Sequence, residues 1–193
     1  FNKKIKKYDN QLKVETGPAF RFQNIHQKKR RSKIKLKNIL LCLPMHLKDA
    51  TDIFNLAYES KLDLSYNFIV KTHPLLDKKK IQDLILISND KKFIFSDENL
   101  YDLFDNSEYI ITSASSVCLE AISFGLKVII AGSRTNITKN NLKDIVEEYD
   151  WKVCYNSEDM LEFINKNINK VDYDILSFFN SVNRENVNNF LSK

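Results

Sequence analysis

Three serines within four positions, Ser113, Ser115 and Ser116, lie between an apolar run, Tyr109-Ile110-Ile111-Thr112, and a segment over 115–124 that reads as a helix stopped by Gly125. A strand that feeds a helix start presents free backbone N–H groups and the positive end of the helix dipole, and both attract phosphate. The hydroxyls add donors at the same point, and small side chains let a phosphate approach the backbone. Plain N-capping would need only one serine. Glu120 lies one helical turn further on, where a carboxylate can accept both hydroxyls of a ribose. A solvated helix glutamate is the plainer alternative, but Val117, Leu119, Ala121 and Ile122 surround it, where a casual charge is costly. Lys71-Thr72-His73-Pro74 closes another apolar run. Proline ends that strand and fixes the turn, so His73 reaches the same rim and can donate to a phosphate oxygen. A lone histidine is more often structural. His46 sits in a similar strand-end loop with less support.

Several signatures are missing. There is no GxGxxG or GxxxxGK[ST], and only three glycines occur in 193 residues, which argues against a standard dinucleotide or P-loop site. No HExxH or paired-cysteine motif is present. Cys42, Cys118 and Cys154 are scattered and read as small core residues of a reducing compartment. Asp172-Tyr173-Asp174 has the form of a metal-binding DxD, but its place at the start of a terminal helix makes it helix N-terminal charge. No metal site is expected.

The elements that must position these residues alternate. Apolar strands are predicted over 38–44, 66–72, 92–95, 109–112, 127–131 and 152–155. Helices are predicted around Ala50, Ile53, Phe54 and Ala57, over 78–87, around Leu100, Leu103 and Phe104, over 115–124, over 138–149 and from Asn156-Ser157 onward. A terminal helix carries Ile175, Phe178, Phe179, Val182 and Phe190. The strands are apolar throughout, as buried parallel strands are. The expected fold is α/β: a Rossmann-like three-layer domain with a mostly parallel sheet of about six strands. Ligands of such sheets bind beyond the carboxyl ends of the strands, which singles out the loops 44–48, 72–75, 113–116 and 132–138.

The net charge of +5 hides a division. Residues 1–37 hold 13 Lys and Arg against Asp9 and Glu15, a charge of +11, while the remainder holds 17 basic and 23 acidic residues, a charge of −6. The run Lys28-Lys29-Arg30-Arg31 reads as a solvated linker. It lacks the interleaved aromatics of a single-strand binder, and no nucleic-acid partner is expected. The expected division is an upstream domain end and basic linker over 1–37, and a ligand-binding domain with a C-terminal helix over 38–193. No apolar stretch approaches the ~20 residues that span a bilayer. The first residue is Phe1, so a fragment is expected.

His73-Pro74 after a strand, Ser113, Ser115 and Ser116 before a helix bearing Glu120, then Gly125-Leu126-Lys127-Val128-Ile129-Ile130: this order resembles the C-terminal domain of GT-B glycosyltransferases. It is most similar to bacterial capsule and lipopolysaccharide enzymes, namely Kdo transferases, sialyl- and polysialyltransferases, and CDP-glycerol polymerases. Leu119 to Ile129 is similar to the wider LEAxxxGxPVI signature, and Glu15-Thr16-Gly17-Pro18-Ala19-Phe20-Arg21 to the TGxPR segment that closes the N-terminal domain of such enzymes. The resemblance covers about residues 14–168.

It implies one half of a GT-B architecture that holds a nucleotide-sugar donor. His73, Pro74, Ser113, Ser115 and Ser116 would grip phosphate and Glu120 the ribose. His46, Lys71, Phe95, Ser96 and Arg134 are further donor contacts, with Phe95 and Ser96 near the base. The transfer would be inverting, metal-free and without a cofactor, onto a glycan or lipid-linked acceptor. It would serve surface polysaccharide synthesis in the cytoplasm, with peripheral contact at the inner membrane face. The family's base usually lies in the N-terminal domain, so no catalytic residue is carried over. Leu43-Pro44-Met45-His46 replaces the glycine-rich first loop, which favours a monophosphate donor such as a CMP-sugar. Lys127 also stands where the motif usually has proline. A UDP-sugar 2-epimerase and a non-catalytic module that binds through its basic arm are the alternatives.

Overall fold

A computed structural model of the chain describes residues 17–22, 37–60, 62, 66–88, 93–133, 137–166, 179 and 182–192. The chain divides into two compact units, Arg30–Tyr173 and a pairing of Phe1–Lys29 with Asp174–Lys193.

The larger unit is built on six strands: β1 (Asn38–Leu43), β2 (Asn67–Thr72), β3 (Phe93–Phe95), β4 (Tyr109–Thr112), β5 (Lys127–Ala131) and β6 (Trp151–Cys154). They form one sheet in the order β3-β2-β1-β4-β5-β6, and every neighbouring pair is parallel. The fold is therefore α/β and Rossmann-like, as the sequence predicts. The central strands are apolar because both faces are covered: Ile39, Leu40, Leu41, Ile110, Ile111, Val128, Ile129 and Ile130 have no exposed surface.

Helices α1 (Leu47–Glu59), α2 (Lys78–Ser88), α3 (Leu100–Asp105), α4 (Val117–Ser123) and α5 (Ser157–Asn165) flank the sheet. One core layer joins Ile39, Leu41, Val70, Ile111 and Ile129 to Ala50, Ile53, Phe54 and Ala57 of α1, to Ile81 of α2, and to Met160 and Phe163 of α5. Leu40, Ile110, Val128 and Ile130 point the other way along the pleat. That face is covered through α3 and α4, where Leu103, Phe104, Cys118, Ala121 and Ile122 are buried. Right-handed crossovers explain the division: β1 to β3 run one way across the sheet, β4 to β6 the other, so their helices fall on opposite faces.

The end of α4 is specified locally. Gly125 has φ 77°. Its N–H donates to Ile122 O at 2.8 Å and the Leu126 N–H to Ala121 O at 3.0 Å. This is a Schellman motif that caps the helix and turns the chain into β5. A side chain is strained in that left-handed conformation, so Gly125→Ala should lower stability by about 1–2 kcal/mol. Urea unfolding checks this through a shifted midpoint at an unchanged slope.

Two expectations are corrected. The predicted helix over 138–149 is a series of turns. Leu142 and Val146 are both buried, which gives the helical spacing, and the Val146 N–H does reach Leu142 O. However, Asn140 Oδ1 accepts the N–H groups of Leu142 and Lys143 at 2.9 and 3.1 Å, and Asp144 adopts φ 65°, so the turns do not join into a helix. The described terminal helix, α6, is Arg184–Leu191 and starts later than the apolar stripe implied. Asn183 caps it by accepting the Asn186 N–H at 2.8 Å, which leaves Val182 and Phe179 ahead of the helix. Ile175, Phe178 and the segment Asp172-Tyr173-Asp174 lie outside the described residues.

In the smaller unit, Phe22 and Phe179 pack at a tilt of 41° with ring centroids 4.3 Å apart. Gly17 lies against the Phe190 ring, which a Cβ would approach to 2.8 Å. Among the described residues no helix is long and apolar enough to cross a membrane.

Candidate functional site

The strand order reverses between β1 and β4, because β1 leads outward to β2 and β4 leads the other way to β5. The loops that leave these two carboxyl ends must part, and a crevice opens where they do. Thr112 Oγ1 donates to Cys42 O at 3.2 Å and ties the two strands beneath it. His46 stands on one side, at the N-cap of α1, with no side-chain capping bond. The serine turn stands on the other.

In that turn the hydrogen bonds run through backbone carbonyls. Ser115 O accepts the Cys118 N–H, and Ser116 O accepts those of Leu119 and Glu120. Ser116 is the N-cap of α4, yet its hydroxyl does not cap. All three serines are half-buried. One capping serine would therefore not account for the cluster.

The His73-Pro74 turn stands beside β1. The His73 N–H donates to Leu43 O at 3.0 Å, which carries the sheet ladder to the rim. Its Nδ1 accepts the Leu75 N–H at 3.1 Å. With Nδ1 accepting, Nε2 is the ring nitrogen left to donate to an anion.

Other expected contacts are arranged differently. Lys71 Nζ donates to Glu98 O at 2.7 Å and pins the loop after β3. Phe95 and Ser96 lie there; Lys78 Nζ stands 5.7 Å from the Phe95 ring centroid, and the Ser96 N–H donates to Val70 O. Glu120 is 4% exposed and accepts from Tyr101 Oη at 3.0 Å. Tyr101 is a partner that the sequence reading missed. It stacks on Phe124 at 5.4 Å and meets Phe104 at 5.9 Å. Arg134 lies outside the described residues.

Helix α1 and the ends of β4 and β5 line an open cleft of about 260 Å³. Its wall of small residues comes from Ser113 and Ala114 after β4 and from Ala131 and Gly132 at the end of β5. Asp49 and Asp52 of α1, with Thr138 and Lys139, complete it. Of the predicted site residues that are described, Ser113 alone lines this cleft; His73, Ser115, Ser116 and Glu120 are not among its lining residues. Asp49 and Asp52 were not anticipated. In sequence they read as ordinary helix charges, and their only signal is their place on the first helix after β1.

The cysteines offer no nucleophile. Burial raises the thiol of Cys42 to about 12 from an ordinary 9.0, with Cys118 and Glu120 adding to the effect. Burial likewise raises Cys118 to about 11 and Cys154 to about 12. A thiol reagent at pH 8 should therefore label none of the three in the native chain and all three in denaturant. Fast labelling of native Cys42 would contradict this packing.

No protein-family model matches the sequence, and no curated protein does. Among solved structures the chain is similar to the catalytic domain of cholesterol-α-glucosyltransferase from Helicobacter pylori. The identity is 20% and the TM-score 0.47, over 66% of this chain and 83% of that one. It is also similar to UDP-GlcNAc 2-epimerase from Neisseria meningitidis bound to UDP-GlcNAc, at 16% identity and TM-score 0.48 over 84% of this chain. The chain spans 38% of the length of that epimerase.

Proposed function

We propose that residues 38–193 form the donor-binding half of a GT-B-type glycosyltransferase, which transfers a sugar from a nucleotide with inversion and without a metal. One observation carries the reading: the two turns whose side chains can donate to an anion, Ser113–Ser116 and His73-Pro74, leave the carboxyl ends of β4 and β2, on either side of β1, and the strand order reverses between β1 and β4. Donors fixed there would offset the charge that grows on the leaving phosphate. Glu120, held by Tyr101, would orient the ribose once a nucleotide opens that contact. Residues 1–37 would be the end of an upstream domain and a basic linker. The acceptor would be a glycan or lipid-linked glycan of a bacterial surface polysaccharide, met in the cytoplasm at the inner membrane face.

Titration of the chain with CMP, UDP, GDP and CDP by calorimetry or protein NMR tests this. One nucleotide should bind preferentially, and His73→Ala or a Ser115→Ala/Ser116→Ala pair should weaken it about tenfold or more. Unchanged binding in both variants would sink the site assignment. Interconversion of a UDP-sugar without an acceptor would reassign the chain to the 2-epimerases. Salt-sensitive binding to nucleic acid or anionic lipid without nucleotide preference would reassign it to a binding module.

A further inference from the structure

We infer that Tyr101 makes an autoinhibitory contact: in the unliganded chain its phenol takes the place on Glu120 that a ribose hydroxyl would take, and nucleotide binding exchanges one O–H donor for another. The inference rests on the proposed role of Glu120 as the ribose ligand. It adds the tyrosine, a residue outside every motif that carries the resemblance. Chemistry is the first reason. Tyr101 Oη donates to Glu120 Oε2 at 3.0 Å. The donor is a hydroxyl, the group that a ribose presents, and it meets a carboxylate in a charge-assisted bond. Glu120 is only 4% exposed, so a ligand reaches it by moving part of its cover. Losing this donor with no other in return would be costly for a buried carboxylate. The contact therefore yields to a ligand that brings hydroxyls of its own.

The way Tyr101 is held is the second reason. It lies in the first turn of α3, where its backbone N–H donates to the capping Asn99 Oδ1 at 3.0 Å. Lys71 Nζ, on Glu98 O, pins the loop just before it. The ring stacks on Phe124 at an interplanar angle of 9° and meets Phe104 edge-on at 67°. Phe104 and Phe124 are buried, whereas Tyr101 is half-buried. The backbone and the two phenylalanines are thus fixed, and the phenol is the outer member of the group. Aromatic pairs hold over centroid separations of ~4.5–7 Å. From its present 5.4 Å the ring can slide along Phe124 and turn its hydroxyl to solvent while the core stays packed.

The test is calorimetric titration of the whole chain with CMP, UDP, GDP and CDP, in the wild type and in Tyr101→Phe, which keeps the ring and removes only the hydroxyl. The variant should bind the preferred nucleotide about fivefold tighter or more, because no internal bond is given up on binding. Urea unfolding supplies a readout that a merely structural tyrosine would not move. The variant should unfold at a lower midpoint than the wild type when unliganded, and alongside it when saturated with nucleotide, where the phenol has left Glu120 in both. Equal or weaker binding in Tyr101→Phe, with midpoints lowered alike with and without nucleotide, would overturn the inference while the donor reading stands. If the wild type binds none of the four, the variant decides: binding there supports the inference, and none there overturns it together with the donor reading.

Discussion

Ile111→Ala should lower the unfolding free energy by about 3–4 kcal/mol, a large part of the ~5–15 kcal/mol that holds a domain together. Ile111 occupies the middle of β4 and has no exposed surface. Strand register places it in one row across the sheet, Val70, Leu41, Ile111 and Ile129, all within one core layer. The row is fixed by backbone ladders on both sides, so it cannot close over a deleted side chain. The hole is left to α1 and α5, which are themselves packed on that face. Ile111→Val removes one methylene and should cost only about 1 kcal/mol. Urea denaturation of both variants checks the ranking; equal losses would mean that the sheet relaxes more freely than this packing allows.

Phe104→Ala should cost about 3–5 kcal/mol by the same cavity logic, and its effect should reach the crevice. Phe104 is 1% exposed and packs on Phe124 with centroids 5.4 Å apart. Tyr101 leans on both rings, and its hydroxyl holds Glu120. Without Phe104 the aromatic group loses its central member, and the tyrosine that fixes the carboxylate loses one wall. Stability should therefore fall together with order at Glu120. A near-UV circular dichroism signal that drops in Phe104→Ala, but holds in a surface variant of equal stability, would report that coupling.

How much of this was legible in the sequence depends on the range of each interaction. β1, β4 and β5 stood out because burial on both faces makes continuous apolar runs. The end of α4 stood out because Gly125 is demanded by backbone geometry. The strand order was not legible. Ile39 finds its partner Tyr109 seventy positions away, and nothing local encodes the reversal between β1 and β4. The turns over 138–149 were misread because Leu142 and Val146 meet the core at helical spacing while Asn140 takes the amides. In the candidate site, the serine and His-Pro turns were visible as breaks after strands. Asp49 and Asp52 were not, since a carboxylate beside a cleft and one in open solvent look alike in sequence.

The order of the strands also sets a timetable. β1 and β2 are made early, but the other edge of β1 is matched only by β4. At roughly 5–20 residues per second, the stretch from Thr72 to Tyr109 takes about two to seven seconds to synthesise. During that time the nascent chain carries an apolar strand with unused backbone donors and acceptors, a template for pairing with another molecule. The hazard ends when β4 arrives. Pauses in translation after β3 should therefore harm the yield of folded protein more than pauses after β5.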